Sequence, residues 1–308
     1  MAAKLSDVAK EAGCSVTTVS RVINNHGYLS QKTKDKVFAA MRKLNYQPNS
    51  LARSLQGKKM KLIGLIFPGI TNPFFAELVQ DVETTLFKRG YKVILCNAGQ
   101  NKKKEHEYLR MLQANQVDGI IAGAHNLGIE EYKQLGLPIV SFDRKLAENV
   151  SCDNYQGIKL AVRDLIQGDC KKIYFLGNKH KKGNPTDERL DAYLDEAKNY
   201  GFTPHIRSVA FSDSTNIKNM EVHNMLTNDQ PDGVVCTDDL TAILVLQEAK
   251  KLGISIPSEL KVIGFDGTQL MQTYHSELST IAQPIEDIAT LLVNLLLKRI
   301  AHPEQELK

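Results

Sequence analysis

Apolar residues recur at helical spacing in three short segments at the start of the chain. The pattern predicts helices over residues 6–13, 16–24 and 31–44, and Ser6 and Ser15 are suitable N-caps for the first two. Only a few small residues separate these two helices, which is the spacing of a helix-turn-helix unit. The alternative is a plain three-helix bundle that carries a solvated basic face.

After residue 61 the pattern changes to continuous apolar runs separated by amphipathic segments. The apolar runs lie at residues 62–68, 91–98, 119–124, 138–143, 172–177, 233–238 and 260–266. Helical spacing marks residues 73–89, 103–115, 155–167, 186–200, 215–228, 240–252 and 285–300. Continuous apolar strands that alternate with helices are typical of parallel sheets, which are covered on both faces and connected by right-handed crossovers.

The predicted fold is therefore α/β, with an N-terminal three-helix headpiece and a hinge helix followed by a two-lobed α/β core. The strand–helix series runs through the core twice, and a last helix returns to the first lobe. The predicted parts are a headpiece at 1–48, a hinge helix and linker at 49–60, and a core at 61–308. Within the core, lobe one takes about 61–153 and 284–308, and lobe two about 155–282.

The charged residues are distributed unevenly along the chain. Residues 1–60 hold 11 Lys and Arg against 3 Asp and Glu, although the whole chain has a net charge of only +4. A basic head on an acidic body suits a segment that neutralises DNA phosphates. In a helix-turn-helix the second helix meets base edges, so Val16 can contact a thymine methyl, Thr17 either base type and Arg21 a guanine. The candidate DNA-binding residues here are Ser15, Val16, Thr17, Thr18, Ser20, Arg21 and Asn24.

Composition and motifs argue against several other classes of protein. No apolar run approaches the roughly 20 residues of a membrane span and no secretory leader precedes the first helix, so the chain is expected in the cytoplasm without membrane contact. The five cysteines are scattered without a CxxC pair, which predicts reduced thiols and no metal site. Nucleotide-binding, nucleophile-elbow and HExxH motifs are absent, so neither an enzyme nor a cofactor is expected.

Several runs of sequence carry a resemblance to a known family. The run DVAKEAGCSVTTVSRVIN and the later YQPNSLARSL are similar to the LacI/GalR family of bacterial transcription regulators, and the likeness continues over almost the whole chain. The runs NSLARSLQGKK, KLIGLIFP, QANQVDGII and TDDLTAIL resemble the branch that represses sucrose operons in Gram-positive bacteria. The resemblance implies a periplasmic-binding-protein-like core with a ligand cleft between its lobes.

The segment between headpiece and core is predicted to form a short helix that folds only on DNA. Residues 50–56 span barely two turns after Asn49, a suitable N-cap, and a helix that short is marginal in water. The family resemblance implies that this hinge helix enters the minor groove, where Leu55 wedges between base pairs and Ala52 allows close approach. The alternative is a linker in which Leu51 and Leu55 pack on the core.

Polar side chains follow several of the predicted strands, which is where ligands bind in open parallel sheets. Position alone favours Asp143, Asp238 and Asp266, and polar groups that meet there suit a carbohydrate. The resemblance adds Arg189 and assigns it, with Asp266 and Asp238, to contacts with effector hydroxyls. Phe74 follows the first strand and also matches an aromatic residue of the family, whereas Phe211 comes from the resemblance alone. The full candidate effector set is Phe74, Asp143, Arg189, Phe211, Asp238, Asp266 and Gln283. The alternatives are an ion pair between Arg189 and one of the aspartates in an empty cleft, and a core position for the second aromatic residue.

These observations favour a sequence-specific DNA-binding repressor of a sugar-utilisation operon. The resemblance implies that sucrose or a related fructosyl sugar releases it from double-stranded operator DNA. A homodimer is expected because one recognition helix reads only half of a palindromic site. The alternatives are a regulator whose ligand or protein partner acts as corepressor, and a sugar-binding protein without a regulatory role. Candidate dimer contacts, each of which could instead be sheet-facing core, are Phe75, Leu78, Val79, Val82, Ile243 and Leu246.

Overall fold

The protein divides into two compact units, Met1–Met60 and Lys61–Lys308. A computed structural model describes residues 3–24, 26–47, 59–123, 126–144, 148–178, 185–211 and 213–303. The predicted hinge residues Asn49, Ala52 and Leu55 lie outside the described residues. No helix in the described ranges is long and apolar enough to cross a membrane.

The first unit is a three-helix bundle built on a small apolar core. Its helices are α1 (Leu5–Ala12), α2 (Val16–Ile23) and α3 (Gln31–Lys43), close to the predicted segments. Their inward side chains form one cluster, which consists of Val8, Ala9, Ala12, Val19, Val22, Val37 and Ala40. The helical spacing read from the sequence therefore selects the residues that pack together.

Hydrogen bonds at the helix starts decide between the predicted caps. Ser15 caps α2 as predicted, since its Oγ accepts a hydrogen bond from the Thr18 amide at 3.1 Å. The predicted cap Ser6 is wrong, because α1 begins one residue earlier. Its N-cap is Lys4, whose backbone amide donates to the Asp7 carboxylate at 2.8 Å. An acidic side chain in the first turn thus takes the role that the hydroxyl was expected to fill.

The second unit consists of two α/β lobes, and lobe one is built on a parallel sheet in the order β2-β1-β3-β4-β5. Its strands are β1 (Leu62–Phe67), β2 (Lys92–Asn97), β3 (Gly119–Ala122), β4 (Ile139–Phe142) and β5 (Glu148–Val150). The helices that connect them are α4 (Pro73–Lys88), α5 (Lys102–Ala114) and α6 (Ile129–Lys133).

Lobe two repeats this arrangement with a parallel sheet in the order β10-β9-β8-β6-β7. Its strands are β6 (Ile173–Gly177), β7 (His205–Ser208), β8 (Gly233–Cys236), β9 (Lys261–Asp266) and β10 (Ser279–Ala282). Its helices are α7 (Asn154–Gln167), α8 (Glu188–Tyr200), α9 (Thr215–Asn224), α10 (Asp239–Leu252) and α11 (Gln269–Tyr274). A 3-10 turn at Pro185–Asp187 precedes α8, and a π turn at Met225–Asp229 follows α9.

The chain passes between the lobes at two points within the described residues. The first crossover, residues 151–153, joins β5 to α7, and the second crossover, residues 283–284, joins β10 to α12 (Ile285–Ala301). As the sequence predicts, α12 returns to lobe one, where its apolar side chains share a core with those of α4. The two crossovers are therefore the joints on which the lobes can move.

The α/β fold class is confirmed, and each of the seven predicted strands is present with its ends within two residues of the prediction. Strands β5, β7 and β10 and helices α6 and α11 were not predicted. They are short and lack a continuous apolar run, so periodicity gives no signal for them. Three of the candidate dimer contacts, Leu78, Val82 and Ile243, are buried in the lobe cores. The other three are half-buried at the edges of those cores: Phe75, Val79 and Leu246.

Candidate functional site

The solvent-facing side of α2 presents three chemically different side chains. Val16 is 46% exposed although it is apolar, and Thr17 and Arg21 are exposed beside it. The Nε of Arg21 donates to the backbone carbonyl oxygen of His26 at 3.4 Å, which leaves the end of the guanidinium accessible. This face can therefore offer an apolar contact, a hydroxyl and a guanidinium to base edges.

The remaining candidate DNA-binding residues of α2 make hydrogen bonds within the bundle. The Oγ1 of Thr18 is 2.9 Å from the Oγ of Ser15, and the Nδ2 of Asn24 donates to the Ser20 carbonyl oxygen at 2.7 Å. These bonds fix the two ends of the helix. The roles of all these residues toward DNA stay predictions.

In the second unit, Arg189 of α8 is buried where the two lobes meet. Its Nε donates to Asn154 Oδ1 at 2.7 Å, and one terminal nitrogen donates to the backbone carbonyl oxygen of Thr237. Its Cζ lies 3.7 Å from the centroid of the Phe265 ring. Two hydrogen bonds and an aromatic face therefore fix the orientation of the guanidinium.

Asp143 faces Arg189 from lobe one, immediately after β4. It is 5% exposed and has a backbone φ of 48°, in the left-handed region. Burial raises the pKa of its carboxyl to about 6, although the charge of Arg189 and the polar side chains of Ser151 and Asn154 act in the opposite direction. Its Oδ1 is buried and has no hydrogen-bond partner among the described residues. An acceptor in that position is costly for the folded state unless a ligand or water donates to it.

Asp266 and Gln283 form a second set of buried acceptors beside Arg189. The Nε2 of Gln283 donates to Asp266 Oδ1 at 2.8 Å, while its Oε1 is buried without a partner in the described part of the chain. Burial raises the pKa of Asp266 well above its usual range, and the attraction of Arg189 offsets this only in part. The backbone φ of Asp266 is 120°. Backbone outliers of this kind cluster at functional sites, which adds to the case for this end of β9.

Asp238, a candidate effector residue, serves as the N-cap of α10 with both carboxylate oxygens. The Thr241 amide donates to its Oδ1 at 2.8 Å, and the Thr241 hydroxyl donates to its Oδ2 at 2.9 Å. The neighbouring Asp239 is buried and accepts hydrogen bonds from the Thr280 hydroxyl and the Gly267 amide, while burial raises its pKa to about 6. Asp239 therefore fixes the loop after β9, and an effector role for Asp238 stays a prediction.

The two neighbouring aromatic residues of α4 occupy different environments. Phe74 is 4% exposed in the core of lobe one, with its ring centroid 5.5 Å from that of Phe142. The ring that reaches lobe two is Phe75, whose centroid lies 6.2 Å from that of Phe211 in an edge-to-face contact. Phe211 is 40% exposed and is not a core residue. The structure therefore places Phe74 in the core of lobe one and Phe75 beside Phe211, and an effector role for Phe74 stays a prediction.

Three residues that sequence reasoning missed hold Arg189 in place: Asn154, Thr237 and Phe265. All three lie at strand ends or directly after a crossover, so the rule that selected Asp143 could have found them. Asn154 is the first residue of a helix, where asparagine is common, so its sequence position gives no sign that it contacts Arg189. Within the described residues, no group of His, Cys, Asp or Glu is arranged to hold a metal ion.

Two protein-family models match the chain. Residues 4–49 match the bacterial regulatory proteins of the lacI family, and residues 162–308 match the periplasmic binding protein-like domain. The sucrose operon repressor of Pediococcus pentosaceus is 56% identical over 97% of this chain and 93% of its own length. The chain belongs to the LacI family of bacterial regulatory proteins.

Solved structures of this family have the same fold. A periplasmic binding protein/LacI transcriptional regulator from Alkaliphilus metalliredigens, complexed with D-xylulofuranose, is 32% identical, covers 80% of this chain and 93% of its own, and has a TM-score of 0.71. The Lac repressor dimer bound to operator and the anti-inducer ONPF is 23% identical, covers 99% of this chain and 94% of its own, and has a TM-score of 0.86. Membership of the family confirms the prediction of a DNA-binding transcription regulator rather than an enzyme.

Proposed function

We propose that this LacI-family regulator represses a sucrose-utilisation operon, and that sucrose or a related fructosyl sugar releases it from operator DNA. Its 56% identity to the Pediococcus sucrose operon repressor supports this assignment. The D-xylulofuranose in the Alkaliphilus structure is a ketofuranose, the same ring class as the fructosyl half of sucrose. The regulator works in the cytoplasm. It binds as a homodimer, because one recognition helix reads only half of a palindromic operator.

The observation that carries the sugar-binding part is the buried polar cluster around Arg189. A fixed guanidinium supplies donors, while Asp143 Oδ1 and Gln283 Oε1 are buried acceptors without partners in the described residues. Sugar hydroxyls both donate and accept hydrogen bonds, so one sugar can satisfy all of these groups. Phe75 and Phe211 add apolar ring surface at the junction of the lobes, which suits the C–H face of a sugar.

The DNA-binding part rests on α2 and on the basic character of the first 60 residues. Val16, Thr17 and Arg21 face solvent from the start and middle of α2, where a recognition helix contacts base edges. The hinge residues Asn49, Ala52 and Leu55 then form a short helix on DNA, and Leu55 enters the minor groove.

Release follows from closure of the lobes around the sugar. Closure shifts lobe one in each protomer and displaces the paired hinge segments, so their helices lose their register on the operator. Coupling between two sites of this kind is typically about 1–3 kcal/mol, or roughly 5- to 150-fold in affinity. The sign of the coupling is the part of the proposal that needs a direct measurement.

Fluorescence anisotropy with an operator duplex selected from a random-sequence pool tests the proposal, with and without sucrose and at two salt concentrations. We expect sucrose to weaken operator affinity roughly 5- to 150-fold, and affinity to fall steeply with salt. Arg189→Gln should bind operator normally and resist release. Arg163→Gln is the matched control, because Arg163 bonds to Glu196 away from the cleft and its side chain is 41% exposed.

The same titration separates the alternatives. Tighter operator binding in sucrose would make the sugar a corepressor and overturn the proposed release. Selection of no duplex, together with normal sugar binding, would contradict the proposed regulatory role and leave a sugar-binding protein.

A further inference from the structure

The guanidinium of Arg189 is supported by one face of α7. Asn154 and Gly157 lie one turn apart on the buried face of this helix. Asn154 Oδ1 accepts the hydrogen bond from Arg189 Nε at 2.7 Å. At Gly157, a Cβ atom would lie 2.8 Å from Cε2 of Phe265, so the absence of a side chain leaves room for the ring beneath the guanidinium.

Asn154 also contacts the first crossover. Its backbone amide donates to the Cys152 carbonyl oxygen at 2.9 Å, and its Nδ2 lies 3.4 Å from the same oxygen and 3.5 Å from Ser151 Oγ. Its side chain and that of Ser151 also lie close enough to the Asp143 carboxyl of lobe one to lower its pKa. One fully buried amide side chain thus bonds to Arg189 of lobe two and contacts the crossover, and it lies beside the acidic residue of lobe one.

The three supports of Arg189 restrain different motions. The Phe265 ring restrains the plane of the guanidinium but allows rotation within that plane. The two hydrogen bonds, to Asn154 and to the Thr237 carbonyl oxygen, fix that rotation together. Without the Asn154 bond the guanidinium can turn about the remaining one, and its other donors no longer point in a fixed direction.

We propose that Asn154 is a positioning residue that directs Arg189 into the cleft and ties the guanidinium to the first crossover. Occupancy of the cleft then reaches the joint between the lobes through this amide. The inference rests on the proposed function, in which Arg189 binds the sugar. Asn154 acts through Arg189 and through the crossover rather than by contact with the sugar.

The test uses Asn154→Ala in the full-length protein. We expect sucrose affinity, measured by calorimetry, to fall roughly 10- to 100-fold, as for loss of a hydrogen bond to a charged group. At saturating sucrose, the ratio of operator affinities without and with sugar should also fall toward one. In the sugar-free protein, the NMR signal of the Arg189 Nε–H should lose its protection from exchange with water.

Val162→Ala is the matched control, since Val162 is fully buried in the same helix and the same core. It should lower stability but leave the sucrose affinity, the operator ratio and the Nε–H signal unchanged. Equal loss in both variants would show a merely structural role and overturn the inference, as would wild-type behaviour of Asn154→Ala.

The two proposals fail separately. If the wild-type protein binds no sucrose, the proposed effector is wrong and the Nε–H signal decides the role of Asn154. Retained protection in Asn154→Ala then contradicts positioning, and lost protection with an unchanged Val162→Ala signal supports it.

Discussion

The Asp143 carboxyl should make the stability of the core depend on pH, and Asp143→Asn tests this directly. Asp143 is 5% exposed, and burial raises its pKa from 3.8 to about 6 even though Arg189 opposes the shift. Asparagine has nearly the shape of a protonated aspartic acid and tolerates the left-handed φ of 48° found here. The variant therefore removes the titration while it preserves the packing.

The sign of the effect follows from proton binding. Between about pH 4 and pH 6 the folded protein holds a proton on Asp143 that the unfolded chain has released. The free energy of unfolding therefore falls as pH rises through this window. One pKa unit corresponds to about 1.36 kcal/mol, so a shift from 3.8 to about 6 represents roughly 3 kcal/mol.

Urea unfolding, followed by far-UV circular dichroism between pH 4 and pH 8, measures this difference. The free energy of unfolding of Asp143→Asn minus that of the wild type should grow by roughly 3 kcal/mol as pH rises. Asp153→Asn controls for the loss of one negative charge, because Asp153 is an exposed N-cap of α7 and asparagine caps equally well. A difference that stays constant or shrinks with rising pH would refute the reasoning, since burial would then not control this carboxyl.

Three further substitutions test the headpiece, the core of lobe one and the support of the cleft. Ser15→Ala removes the cap of α2 and should lower the free energy of unfolding of the headpiece by about 1 kcal/mol, as measured by thermal unfolding. Ser15→Asn keeps a capping side chain and should not lower it, so equal stability of the two variants would contradict the capping role. Leu78→Ala leaves a cavity at a fully buried position and should cost about 2–5 kcal/mol in urea unfolding, so a loss below this range would mean that the site collapses or is not core. Gly157→Ala forces a methyl group against Phe265 and should lower the free energy of unfolding by about 1–3 kcal/mol. It should also weaken sucrose binding in calorimetry, and an unchanged affinity would show that the ring does not support Arg189.

The sequence predicted those elements whose apolar pattern is long enough to decide their type. The central strands β1, β3 and β8 are buried along nearly their whole length, so their residues form continuous apolar runs. Strand β7, with the sequence HIRS, lies at a sheet edge and is only partly buried, so no such run marks it.

For the cleft, the rule that ligands bind at the carboxyl ends of strands was informative, but it does not give side-chain direction. It selected Asp143 and Asp266, which the structure places around one guanidinium. It could not show that Asp238 is occupied as a helix cap, or that Phe75 rather than Phe74 reaches the other lobe. Those facts depend on rotamers and on contacts between distant segments, which periodicity does not encode.

Both crossovers lie beside the cleft, since Asn154 follows the first and Gln283 belongs to the second. In mechanical terms, a ligand bound there acts close to a pivot. The strands of lobe one are parallel, so they all begin at one end of the sheet and finish at the other. Leu62 lies at the end where β1 begins, whereas Asp143 follows the opposite end, where β4 finishes. A strand of six residues is about 20 Å long. Atoms at the far end of β1 therefore move farther than atoms near the pivot when the lobe rotates by a small angle. A small sugar can in this way displace the distant end of a rigid lobe, where the chain enters the core.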